Sequence, residues 1–329
     1  MAAGFKTATV RSGDVPATQT NFPTYVDLDR LGITTLAEAQ SIRVYADEAK
    51  TVEWAREIVS VDEMHVKVPS LTSTVDIYVD WDGVRSDYAT TATYGAENVW
   101  DSNYKLVAHD VDDDSTSGAN NGTLEGSTAV IAGKVGDGRQ FEATGNRVNY
   151  GSSFGESYSA ATYSTWIRVN NTSNKYHPIG KRDNFGYTVE TSGQIRAAIY
   201  TNDWQTPVFS GGSYTVTAGT WHKIDIVYTG SNLSIYFDGV STGAGVSATG
   251  TLENNGYNWF AGSYFVTSQW LDGDLDELRV SDIARSSDWL ETSFNNENDE
   301  ATFWGTWTDA GGGGGGAAQT ARRGVIMMM

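Results

Sequence analysis

The sequence predicts an all-β protein of two modules, and three observations carry that prediction. A length of 329 residues exceeds what one typical domain needs, so each module has enough chain for its own core. Aromatic residues make up 12% of the chain and glycines number 36, a composition of short strands joined by tight turns rather than of helices. Apolar residues recur with a period of two, which is the spacing of a strand with one face buried.

Taken in chain order, Ile42, Val44 and Ala46 alternate with Arg43 and Tyr45. Met64, Val66 and Val68 alternate with His65 and Lys67, and Val75, Ile77, Val79 and Trp81 alternate with Asp76, Tyr78 and Asp80. These runs read as half-buried strands of a small antiparallel domain over residues 1–95. Near Thr35 to Ala39 either a short helical turn or a loop is expected. From Arg85 to Asn98 the pattern weakens into a polar stretch rich in Thr and Ala, the expected domain connection. A second module then covers residues 100–308. In it His222, Ile224, Ile226 and Tyr228 oppose Trp221, Lys223 and Asp225, while Leu233, Ile235 and Phe237 oppose Ser234, Tyr236 and Asp238. Thr229, Gly230, Ser231 and Asn232 turn one strand into the other as a hairpin.

Residues 309–329 form the predicted tail. Its six glycines, Gly311 to Gly316, cannot repay their ordering entropy and read as a flexible tether. The tether ends in Arg322, Arg323 and the apolar residues 325–329, which are either disordered or a docking peptide for another protein of an assembly.

The formal net charge of -19 argues against a nucleic-acid partner, because phosphates are bound by clustered Lys and Arg. It suits a solvated acidic surface or the retention of hard cations such as calcium. With no cysteine, disulfides and thiolate metal sites are excluded. The N-terminus lacks the pattern of a secretory signal and no apolar run is long enough to span a bilayer, so the expected location, extracellular or virion surface, is reached by cell lysis or after loss of a signal.

Five segments, in order, carry a family resemblance: 114–123 (DSTSGANNGT), 138–148 (GRQFEATGNRV), 163–168 (YSTWIR), 221–239 (WHKIDIVYTGSNLSIYFDG) and 271–280 (LDGDLDELRV). Through them residues 100–303 resemble the laminin-G-like, concanavalin A-like module, which implies a jelly-roll sandwich. Residues 1–95 resemble a poorly characterised β domain that often precedes this module in surface proteins, on the segments NFPTYV (21–26), SIRVYAD (41–47), VKVPSL (66–71) and VWDSNY (99–104). The opening strand departs from that pattern. The resemblance implies an accessory surface role.

Asp276 shares parity with Leu278 and Val280, so it should point inward while Glu277 and Arg279 face solvent. An inward carboxylate is costly unless paired, hydrogen-bonded or metal-bound. The resembling modules commonly place a structural calcium here, which implies Asp114, Asn120 and Asp276 as ligands with Asp112 and Asp113 as alternatives; a hydrogen-bonded buried Asp is the competing expectation. The four histidines, His65, His109, His177 and His222, are dispersed and show no zinc spacing. Gly151 to Gly155 spell Gly-x-Ser-x-Gly, but a nucleophile elbow needs a strand-turn-helix that a sandwich does not offer. Glucanases of this fold carry Glu-x-Asp-x-x-Glu on one strand, and residues 274–278 lack both glutamates of that pattern. Trp204, Tyr257, Trp259, Tyr264 and Trp270 lie in or beside Gly- and Asn-rich stretches, where rings either stack on sugars or pack in the core. The expected function is a non-catalytic virion or cell-surface structural and adhesion protein, oligomeric in an assembly, with a carbohydrate-binding module. A glycan-processing enzyme and a purely architectural decoration or stalk protein are the alternatives.

Overall fold

The computed structural model describes residues 3–142, 145–152, 157–201, 208–253, 255–263 and 269–311, with the backbone alone over 208–213. The end of the tail, 312–329, therefore lies outside the described residues, as do Trp204 and Tyr264. Four antiparallel sheets account for almost all of the regular structure. Two belong to the first module: a five-stranded sheet around Gly4–Thr9 and Asp76–Trp81, and a three-stranded one formed by Gln19–Asp27, Glu63–Leu71 and Arg56–Ile58. Over Asp76–Trp81 the expected alternation holds, with Ile77, Val79 and Trp81 buried. The turn near Thr35 is a helix, Leu36–Gln40, fixed by a capping box between Thr35 and Glu38.

The other two sheets face each other as the jelly-roll sandwich. A nine-stranded sheet has Gly273–Ser281 and Ala161–Val169 at its centre, and a seven-stranded sheet includes Phe185–Val189, Tyr176–Lys181 and Trp259–Ala261. Between them lies a core that includes Phe141, Tyr163, Ile167, Tyr187, Ile226 and Trp259. The hairpin from His222–Tyr228 to Asn232–Phe237 forms as expected, with Tyr228 opposite Leu233. Among the described residues no helix is long and apolar enough to cross a membrane.

The centre of the nine-stranded sheet is buried on both faces, which the alternation did not anticipate. Lys223 and Asp225, on the polar parity of their strand, are buried, and so is every residue of Gly273–Ser281. The outer face is covered by the first module and by the helix Ser287–Asn298. One continuous core joins Phe22, Val66 and Trp81 of the first module to Val107, Val227, Trp289 and Trp304. Trp289, Leu290, Phe303, Trp304 and Trp307, assigned by sequence to the second module, thus pack into the core of the first. The Asn296 side chain accepts from Tyr25 N (2.6 Å) and donates to Tyr25 O (3.0 Å), standing in for a neighbouring strand. Thr308–Asp309 then pairs with Gly4–Thr9 as the edge of the five-stranded sheet. The connection 85–98 is itself tied down: Arg56 N donates to Tyr94 O, and the Arg43 guanidinium sits 3.9 Å from the centre of the Tyr88 ring.

Burial pushes the Asp225 carboxyl up to about 6, against the pull of Lys223. A carboxyl held above its unfolded value costs stability only as pH rises from about 4 through that value, and in full above it. Asp225→Asn is therefore expected to raise the unfolding free energy by on the order of 2–3 kcal/mol at pH 8 and to leave it unchanged near pH 4. Urea unfolding at the two pH values checks this, and an equal gain at both would refute the titration argument.

Candidate functional site

Two places in the fold gather chemistry. The first is a cleft of about 560 Å³ at one end of the sandwich, lined by Trp270, Tyr176, Asn170, Asn174, Asp272 and Glu142 among others. Asp272 accepts from the side-chain amides of Asn170 (2.7 Å) and Asn171 (2.8 Å), and the Tyr176 hydroxyl donates to Asn171 Oδ1 (2.8 Å). The Arg147 guanidinium lies 5.6 Å from the centre of the Trp270 ring. Trp270 is half-buried, and its indole N–H has no acceptor among the described residues.

The predicted sugar-stacking rings separate here. Tyr257 is 42% exposed and carries the Arg182 guanidinium 4.4 Å from its ring centre. Arg182 follows one end of the strand Tyr176–Lys181, whereas the Trp270 cleft sits at the other. Trp259 is not a surface platform. It is fully buried, stacked near Tyr163 (6.2 Å) and Phe185 (6.5 Å) in the sandwich core, because the loop ends at Asn258 and the buried strand Trp259–Ala261 begins with it.

Each of the predicted calcium ligands makes hydrogen bonds within the protein, although Asp276 Oδ1 is buried without a partner among the described residues. Asp114 accepts from the backbone N–H of Val107, Thr116 and Asn120 and from the Thr116 hydroxyl, and Asn120 Nδ2 donates to Lys105 O (2.8 Å). Asp276 does point inward, where Oδ2 accepts from Lys134 N (2.6 Å) and Val135 N (2.8 Å). Burial, reinforced by Glu277, holds its carboxyl well above the usual range.

Glu277 does not face solvent. It sits in a β-bulge: opposite Ser164 to Trp166, the strand Gly273–Ser281 carries one extra residue, and Glu277 takes up a left-handed φ of 53°. The bulge turns Glu277 into the seam between the modules, where it is 2% exposed. There it meets three side chains that form the second place of interest: Glu63 and His65, two residues apart on one face of Glu63–Leu71, and His109, just past the strand Tyr104–Ala108. Their ligating atoms all lie within 4.8 Å of one another. His109 Nδ1 is 2.6 Å from Glu277 Oε1 and 3.2 Å from Glu63 Oε1; His65 Nε2 is 2.9 Å from Glu63 Oε1 and 3.5 Å from Glu277 Oε1. The two imidazoles stack with ring centres 4.6 Å apart.

An outer ring of partners fixes these groups. Glu57 Oε2 lies 3.4 Å from His109 Nε2 and accepts from the Trp100 indole (2.6 Å). Arg279 binds the second oxygen of Glu277 and donates to Glu297 (2.6 Å), which also receives Lys223 (2.5 Å) and the Trp166 indole (2.7 Å). Burial alone would strip His109 of its proton, but Glu277, Glu57 and Glu63 outweigh it and hold its pKa well above the ordinary value. Burial likewise opposes ionisation of Glu277, yet Arg279, His109 and His65 hold it well below the usual carboxylate range. A cleft of about 320 Å³, lined by Glu63, His109, Glu57, Asp113 and Asp137 among others, opens onto the group. The dispersed histidines of the sequence therefore do converge, two of the four in one cluster. The legible hint was Glu63-x-His65, which a strand displays on a single face; the bulge at Glu277 left no trace in the alternation.

The fold and the Trp270 cleft define a jelly-roll sandwich of the lectin-like class. Residues 153–291 match the family described as the Concanavalin A-like lectin/glucanases superfamily. Among solved structures, the binding domain of Paraclostridial Mosquitocidal Protein 1 matches at 14% identity and a TM-score of 0.50, over 58% of this chain and 52% of that one. Domain 4 of AbnA, a GH43 extracellular arabinanase from Geobacillus stearothermophilus solved with arabinotriose, matches at 17% identity and a TM-score of 0.46, over 58% of this chain and 99% of that one. The binding domain of botulinum neurotoxin serotype G matches at a TM-score of 0.45 with 12% identity, over 58% of this chain and 50% of that one. This chain thus spans about half the length of the mosquitocidal binding-domain chain, and the likenesses are of fold alone. No curated protein matches the sequence.

Proposed function

We propose that this chain is a non-catalytic, surface-exposed glycan-binding protein that takes a saccharide in the Trp270 cleft. The observation that carries the reading is the half-buried Trp270 ring lining the cleft beside amides and a carboxylate held in fixed orientation. Aromatic faces bind sugar rings and such polar groups orient the hydroxyls. The lectin-type superfamily match supports this, as does the description of the mosquitocidal neighbour as a binding domain. The wider role is adhesion on a virion or cell surface, with the glycine run as tether to an assembly.

A glycan array followed by calorimetry tests the reading. Trp270→Ala is expected to weaken binding by about 1–3 kcal/mol with an unchanged melting temperature. An array without hits would leave the architectural role in its place. Glu142 and Asp272 line the same cleft and favour hydrolysis as the second reading. Release of reducing sugar that is lost in Asp272→Asn would decide for it.

A further inference from the structure

We propose that Glu63, His65, His109 and Glu277 form a divalent transition-metal site that pins the two modules together. Two ligands come from the first module and two from the sandwich, and all four side chains are at least nine-tenths buried. The geometry points to a cation rather than to hydrogen bonding alone. Each of the two facing ring nitrogens lies 2.6–3.5 Å from both carboxylate oxygens, making four N···O approaches. One nitrogen carries at most one hydrogen, so two N–H groups cannot direct well-formed bonds along all four lines. A single ion among the four atoms satisfies them together. Ligands of a tetrahedral site with bonds of about 2.0–2.2 Å lie about 3.3–3.6 Å apart; the four N···O separations run from 2.6 to 3.5 Å and all four atoms lie within 4.8 Å of one another, so small side-chain shifts suffice to seat an ion.

The surroundings agree. Arg279 takes the outer oxygen of Glu277 and leaves Oε1 inward, while Glu57 faces the outer nitrogen of His109 and leaves Nδ1 inward, the arrangement by which outer partners orient metal ligands. Glu63 has a second oxygen, buried and without a hydrogen-bond partner among the described residues, beside Gly136, whose left-handed turn (φ 51°) leaves no room for a Cβ. The cleft onto Glu63 and His109 supplies an entry path. Two imidazoles with two carboxylates suit zinc and its first-row neighbours; calcium and magnesium take oxygen ligands instead. With four protein ligands the site is closed and structural.

The test uses the full chain, purified without chelator, dialysed against zinc and separately against cobalt(II), and measured by elemental analysis. One equivalent of metal per chain is expected, together with visible absorption of tetrahedral cobalt. A strong chelator should lower the melting temperature. His65→Gln is the variant of choice, because among the described residues its ring holds no hydrogen bond outside the cluster. It should weaken metal binding at least about tenfold while the far-ultraviolet spectrum stays that of the wild type; Glu63→Gln gives a second reading should it fail to fold. Less than about a tenth of an equivalent of zinc or cobalt on folded wild-type chain, with a melting temperature indifferent to chelator, would overturn the site and leave an imidazole–carboxylate network. A response to calcium alone, abolished by Asp114→Ala and not by His65→Gln, would overturn it as well and locate the ion in the Asp114 loop. Glycan binding is read separately at Trp270, so neither proposal falls with the other.

Discussion

Arg279→Met is expected to lower the unfolding free energy by about 3–5 kcal/mol, the usual cost of removing one partner from a buried ion-pair network. Arg279 is 6% exposed, bridges Glu277 and Glu297, and lies 5.1 Å from the centre of the Trp100 ring. Methionine keeps much of the packing and removes the charge, so the loss reports electrostatics rather than a cavity. Adding Glu297→Gln should return little of it, because Glu297 keeps Lys223 (2.5 Å) in the single variant and Lys223 loses that partner in the double one. Denaturant unfolding of the single and double variants measures both terms. A single-variant loss under about 1 kcal/mol would mean that the seam is solvated and its network of little consequence.

Trp304→Ala should cost a similar ~3–5 kcal/mol, for a different reason. Trp304 is fully buried in the first module's core, packs edge-on against Phe303 (5.5 Å) and donates its indole N–H to Tyr25 O (3.0 Å). Its removal opens a cavity and also releases the segment that carries Thr308–Asp309 back to Gly4–Thr9. Hydrogen exchange should therefore show lost protection at Thr7, which lies opposite Thr308 and far from residue 304 in sequence. Protection unchanged there, with the stability loss present, would show that the returning strand holds without its tryptophan anchor.

The sequence was most legible where one face of a strand meets water. Ile77, Val79 and Trp81 are buried as the alternation requires, and the hairpin at Thr229 to Asn232 follows from its turn residues. It misled where a second layer covers the polar parity: Lys223, Asp225, Glu277 and Arg279 read as solvent-facing, yet all four are buried against the first module and its helix. Period two says which residues share a face, not what lies above that face. Trp259 failed for a local reason, one residue separating an exposed loop from a buried strand. The histidine cluster was hidden because its members come from one strand, a bulge in a second and the residue just past a third, and contacts of that kind have no fixed spacing along a chain.

The pairing of Thr308–Asp309 with Gly4–Thr9 also sets an order of events at the ribosome. The strand Gly4–Thr9 is made some three hundred residues before its neighbour on one side. Until then Gly4–Thr9 offers an unpaired backbone edge, and the pocket for Trp304 stands open beside it. Such an edge is a template for pairing with another nascent chain. The interval of greatest aggregation risk thus spans the synthesis of everything between the two strands, and a release factor acting early, at a stop codon before residue 304, would make that exposure permanent.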